Sequence, residues 1–179
     1  MNSLNILFKK NLFTLIFLIS FTGFSQILYE SSKMSFYYPE AYNISETRLI
    51  QNVDVKLNAN DNSHSIIITE APKEGSASSL DELSLNVLER AFKNEMKLAL
   101  DKANLTGKTY LSDLVRKNIN DREFLSFVVT TEVDFTDYKA IQLVYIYVNK
   151  GKQINFIASS ESGNYSSVLN YIIKNFQLK

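Results

Sequence analysis

Residues 138–148 read Tyr-Lys-Ala-Ile-Gln-Leu-Val-Tyr-Ile-Tyr-Val, "YKAIQLVYIYV", and they decide the fold class. In an extended chain successive side chains point to opposite sides, so Ile141, Leu143, Tyr145 and Tyr147 share one face. Ala140, Val144, Ile146 and Val148 share the other. A strand wetted on one side alternates apolar with polar residues, whereas one that is apolar on both sides is central and covered twice. The stretch predicts a sheet with a layer packed on each face.

The flanking segments supply its neighbours. "NKGK" (149–152) turns the chain, and "QINFIASS" (153–160) returns beside it. Upstream, Leu125, Phe127, Val129, Val133 and Phe135 share one face of a long strand. Asn120-Asp121 is a tight-turn dipeptide that joins this strand to 114–119 as a hairpin. A second hairpin lies earlier. There Val53, Val55 and Leu57 alternate with Asn52, Asp54 and Lys56, "NANDNS" (58–63) turns, and "HSIIIT" (64–69) resumes as a β-branched strand.

Residues 34–43, "MSFYYPEAYN", place four aromatic rings around a proline. Met34, Phe36 and Tyr38 fall on one strand face toward the core, and Pro39 ends the strand because it has no N–H to donate. Tyr42 packs where the next strand opens. Tyr37 faces the other way.

Two helices complete the pattern. "APKEGSASS" (71–79) is a loop, and Ser79 with Glu82 has the spacing of a capping box. Leu80, Leu83, Val87, Leu88, Ala91, Met96 and Ala99 or Leu100 then recur at helical spacing, predicting a helix from about Leu80 to Lys102. In "GNYSSVLNYIIKNFQL" (163–178), Tyr165, Val168, Leu169, Ile172, Ile173 and Phe176 form a second apolar stripe. The expected fold class is α+β: an antiparallel β-sheet with one long central helix and a C-terminal helix packed on it.

The first residues, "MNSLNILFKKNLFTLIFLISFTGFSQ", have the parts of a secretory signal. Lys9 and Lys10 are the basic region, Leu12 to Phe21 the apolar region, and Gly23 and Ser25 the small residues before a cut at Gln26. The apolar run is shorter than the roughly 20 residues of a membrane span. Residues 1–25 are thus expected to be a signal peptide and 26–179 a single domain, exported to the periplasm or beyond, with no transmembrane span after cleavage.

Composition narrows the chemistry. Lysine plus arginine and aspartate plus glutamate number 19 each, so removal of Lys9 and Lys10 leaves a slightly acidic chain, unlike the basic surface that phosphate neutralisation needs. Nucleic acid is therefore not an expected partner. Cysteine is absent and His64 is the only histidine, which excludes disulfides, thiolate chemistry and multi-histidine metal sites. Five glycines make no phosphate-cradling loop. His64 lies between Ser63 and Ser65 at a strand start, where neighbouring side chains diverge, so it reads as a solvated strand-end residue rather than a catalytic base. No catalytic residue, metal ligand or cofactor is expected.

The order of these segments resembles the PsbP-like fold group and, within it, the DcrB-like bacterial envelope proteins. The likeness is carried by "MSFYYPEAYNI" (34–44), "ITEAPKEGSASSLDEL" (68–83), "KNINDREFLSF" (117–127), "IYVNKGKQINFIASS" (146–160) and "YSSVLNYIIKNFQL" (165–178). It departs from that pattern at Tyr42, where tryptophan is expected, and at Asp121, where glycine often stands. The resemblance implies a PsbP-like α/β/α sandwich and an exported, non-enzymatic accessory or binding protein whose partner is an envelope protein or an apolar ligand. Tyr37, Tyr110 and Tyr138 are the candidate contacts. The alternative is a small secreted hydrolase or metal-dependent enzyme, which requires Glu132, Asp134 and Asp137 to converge in a pocket.

Overall fold

The strand marked as central, β9 (Lys139–Asn149), lies between β8 (Arg122–Val133) and β10 (Lys152–Ser160) in an eight-stranded antiparallel sheet. The structure is a computed structural model that describes residues 25–45, 54–71, 77–160 and 166–179. From β10 the sheet continues through β5 (His64–Glu70) and β4 (Val55–Ala59) to β3 (Tyr42–Ser45). Beyond β8 it ends in β6 (Gly107–Leu111), while β7 (Val115–Ile119) pairs with the first half of β8. Val53 and Tyr165 lie outside the described residues, as do residues 1–24 of the leader.

Both faces of β9 are covered. Ile141, Leu143, Tyr145 and Tyr147 join the larger core with Val55, Leu57, Ile66, Ile68, Ile154 and Phe156. This core is closed by α2 (Ser166–Asn175), through Leu169, Ile172 and Ile173, and by Met34, Phe36 and Tyr38 of β2 (Met34–Pro39). Val144, Ile146 and Val148 face a smaller core with Leu125, Phe127 and Val129, which α1 (Leu85–Lys102) covers. The architecture is the expected α/β/α sandwich.

Three strands were not legible. β1 (Gln26–Glu30) and β11 (Gln177–Leu178) flank β2 in a small antiparallel sheet, and β6 forms an edge of the large one. Ion pairs from Lys33 to Asp54 (2.8 Å) and Glu70 (3.5 Å) tie the small sheet to β4 and β5.

Three expectations are corrected. Leu80–Glu82 is a separate 3₁₀ turn, and α1 starts later, at Leu85, where Ser84 accepts from the Val87 N–H. Ser79 makes no side-chain cap, and the Glu82 carboxylate accepts instead from the Ser78 N–H (2.8 Å). The apolar stripe of α1 is also narrower than predicted. Leu88 is buried and Phe92, Met96 and Leu100 are half-buried, one row at i, i+4, i+8 and i+12, whereas Val87, Ala91 and Ala99 face solvent. Phe92, missing from the predicted stripe, anchors this row edge-on to Phe127 at 5.4 Å. Finally, Phe135 does not continue the β8 face. It sits fully exposed at φ 63° in the turn after the strand, because the chain reverses there into β9.

Candidate functional site

The narrow footing of α1 leaves a groove of about 450 Å³ between the helix and β6. Its walls are Leu100, Leu105 and Tyr110, with Lys93, Lys97 and Lys108 and one carboxylate, Asp101. The helix end that shapes it is a Schellman motif: Asn104 takes φ 55°, its N–H donates to Asp101 O (3.1 Å), and the Leu105 N–H donates to Leu100 O (2.9 Å). Leu105 is thereby set beside Leu100. β6 then leaves along α1, and only glycine fits at its first position. A Cβ on Gly107 would lie 2.3 Å from Glu132 O and 3.2 Å from Leu100 Cδ1.

A second, polar depression of about 280 Å³ opens on the same sheet face where α1 does not reach. Lys56, Asn58, Ser65, Gln142 and Ser159 project into it, bordered by Tyr138 and by His64. Gln142 Nε2 donates to Ser159 Oγ (3.3 Å), and Gln142 Oε1 has no partner among the described residues.

A third groove, about 310 Å³, runs between α2 and the start of β3, lined by Pro39, Ala41, Tyr42, Val168 and Tyr171. Tyr171 is held above the usual tyrosine range by burial and by the nearby Tyr37 hydroxyl. The three candidate tyrosines are therefore not one platform. Tyr110 borders the α1–β6 groove, Tyr138 the polar depression, and Tyr37 the neighbourhood of Tyr171, each about half exposed.

His64 is more engaged than the sequence predicted. Ser63 belongs to the turn rather than the strand, so it is free of the alternation rule and its Oγ lies 2.6 Å from His64 Nδ1. Ser63 Oγ also donates to Asp61 Oδ1 (2.7 Å), and the Tyr42 hydroxyl meets His64 Nε2. This is not a nucleophilic set. The Ser63 hydroxyl gives its proton to Asp61 and not to the Nδ1 beside it, and Nε2, the nitrogen an acid would orient, faces Tyr42 instead. The chain of contacts joins the β4–β5 turn to β3.

The carboxylates of the enzymatic alternative do not converge. Glu132 is paired with Lys139 across β8 and β9 (2.7 Å), and Asp134 and Asp137 stand exposed on the turn that follows. Among the described residues no group of three or more histidine or acidic side chains is placed to hold a metal, and no helix is long and apolar enough to cross a membrane.

Two layers of helix on an antiparallel sheet, with grooves rather than a carboxylate pocket, define a PsbP-like α/β/α fold. The solution structure of cyanobacterial PsbP (CyanoP) from Synechocystis sp. PCC 6803 matches it at a TM-score of 0.63 and 14% identity, over 87% of this chain and 94% of that one. A crystal structure from Bacteroides thetaiotaomicron matches at 0.56 and 10% identity, over 86% of this chain but 48% of the other, so this chain spans about half of that protein. No protein-family model and no curated protein sequence matches the chain.

Proposed function

We propose that the protein is an exported accessory protein of the cell envelope that works by binding and not by catalysis, in the manner of the DcrB-like proteins its sequence resembles. The observation that carries this reading is where its exposed groups lie. Leu105 and Tyr110 line the α1–β6 groove half-exposed, while Glu132 is taken up by Lys139 and Asp134 and Asp137 are exposed on the following turn, so the three carboxylates share no pocket. The pattern of the leader supports export, and the PsbP-like fold supports an accessory role, although a fold by itself fixes no function. The partner class is an envelope protein or an apolar ligand, with Tyr37, Tyr110 and Tyr138 as contacts.

Two measurements test it. The intact mass of the exported protein is expected to correspond to a chain beginning near Gln26, and a full-length product in the membrane fraction overturns cleavage. Crosslinking in intact envelopes followed by mass spectrometry is expected to yield a stoichiometric partner joined near the α1–β6 groove. Turnover of an ester, glycoside or phosphoester by the purified protein, abolished by Asp134→Asn or Asp137→Asn, overturns the non-enzymatic reading.

A further inference from the structure

Gln26 follows the cut expected after Ser25, and it opens β1, an outer strand of the small sheet. The pairing of that strand with β2 decides where its nitrogen points. The Glu40 N–H donates to Ser25 O at 3.0 Å, and Gln26 lies opposite Pro39. Hydrogen-bonded and non-hydrogen-bonded pairs alternate along an antiparallel ladder, so a residue next to a bonded pair turns its own N–H and C=O away from the partner strand. The Gln26 nitrogen therefore stands on the open edge of β1, outside the ladder. The residue is also exposed, which leaves its nitrogen and its side-chain amide room to meet.

We infer that Gln26 is a modification site, where the α-amine released by leader cleavage closes on the side-chain amide of the same residue to form pyroglutamate. The neutral amine attacks Cδ. An N–Cδ bond forms, the Cδ–Nε2 bond breaks, and the departing nitrogen takes up a proton from the amine to leave as ammonia. No oxidant, metal or second substrate enters. An α-amine titrates at about 7.7–8.0, so a fraction of it is neutral at physiological pH, and nucleophile and carbonyl are held together within one residue. The fold gives the ring a place. Gln26 and Pro39 are cross-strand partners, so their side chains share one face of the small sheet, and both border the third groove with Ala41, Val168 and Tyr171. Because the lactam is built on the same Cβ and Cγ, it keeps that face. An open terminus sets an ammonium beside these apolar side chains, whereas the lactam carries no charge and its methylenes extend the apolar wall. The modification rests on the reading of the protein as exported with its leader cut before Gln26.

The test is peptide mass spectrometry of the full chain, expressed with its leader in its own host and collected after export. Reductive dimethylation of amines at harvest marks any open terminus and blocks its later closure during purification. The N-terminal peptide is expected to begin at Gln26, to weigh one ammonia less than its sequence, and to carry no label on its terminal nitrogen. A pyroglutamyl peptidase is expected to remove that residue and expose Ile27. The Gln26→Ser variant, which cannot form the lactam, is expected to be cut at the same bond and to be labelled there. In the NMR spectrum of the closed form, nuclear Overhauser contacts are expected between the ring methylenes and Val168 or Tyr171. A terminus found mainly as labelled, open Gln26 overturns the modification and leaves cleavage standing. A peptide that begins at another residue, or a retained leader, overturns the modification and the cleavage together. A lactam without contacts to Val168 or Tyr171 overturns its placement against the groove.

Discussion

Arg122 and Phe176 are joined across the fold: the first residue of β8 donates Nη1 to the carbonyl that follows α2, at 2.6 Å. Its Nη2 donates to Ile173 O at 2.7 Å. One guanidinium thereby satisfies carbonyls that the helix end leaves without intrahelical partners, and its positive charge meets the negative end of the helix. Asn120 adds a bond to Lys174 O (2.9 Å), so the β7–β8 turn and the end of α2 are one unit.

Arg122→Ala is therefore expected to destabilise the protein by about 2–4 kcal/mol, since charge-assisted hydrogen bonds to partly buried carbonyls are lost together. Arg122→Lys recovers only part of this, because an ammonium does not reproduce the guanidinium fork. Urea denaturation of the two variants measures both effects, and an Arg122→Ala midpoint equal to wild type removes the role assigned here.

The Asn120-Asp121 turn places both residues at positive φ, 50° and 58°, the signature of a type I′ hairpin. Asn tolerates this region through local hydrogen bonding, and a Cβ at the second position costs energy. Asp121→Gly is expected to raise stability by about 0.5–1 kcal/mol. A lower denaturation midpoint would show that the Asp121 side chain contributes more than its backbone strain removes.

Gly107 is the reverse case, where a side chain is added and not removed. Its backbone lies against Glu132 O, and a side chain there meets a carbonyl that cannot move without opening the β6–β8 ladder. Gly107→Ala is expected to cost about 1–3 kcal/mol, the range of forced overpacking. Hydrogen exchange should locate the loss in β6 and in the C-terminal turns of α1; protection lost uniformly across the sheet contradicts this assignment.

The Tyr42 hydroxyl, buried at the start of β3 beside His64, is pushed up to about 12 by burial and by the negative charge of Asp61. Between its unfolded value near 10 and that folded value, the unfolded chain releases the proton first. Stability is then fully present below pH 10 and is lost as pH rises toward 12, by about 2 kcal/mol. Tyr42→Phe is expected to be less stable at pH 8, by about 1 kcal/mol for the lost hydrogen bond, and to lose less as pH rises. Parallel stability curves for the two proteins between pH 9 and 12 would dismiss the linkage.

Most of the sandwich could be read from residue order because it is written in alternation. β9 announces its two covered faces, and the row Met34, Phe36, Tyr38 announces one. β6 could not be read in this way, since Thr109 is its only fully buried side chain and it pairs by hydroxyl contact with Thr131 (3.1 Å). The helix start was misplaced because Ser79 and Ser84 both precede helical patterns, and the choice between them depends on how the 3₁₀ turn settles on the sheet. Within the candidate site, Tyr110 was visible only as a candidate contact ring. Leu105 was not, because its place beside Leu100 depends on the positive φ of Asn104 at the helix end. His64 was judged by strand geometry although its partners come from a turn and from β3, which no local pattern relates to it.

The pairing of β11 with β2 has a kinetic meaning. Gln177 and Leu178 bond to Ser35 and Met34, and the Lys179 N–H donates to Lys33 O, so contacts that finish the smaller sheet join segments separated by almost the whole described chain. Contacts of such long sequence separation form late in folding, because their loop must close before they return any energy. Until then Met34, Phe36 and Tyr38 lack the cover of α2, leaving a sticky row on a nascent chain. A delay of that kind leaves the newly made polypeptide open to capture by holding factors before its last strand docks.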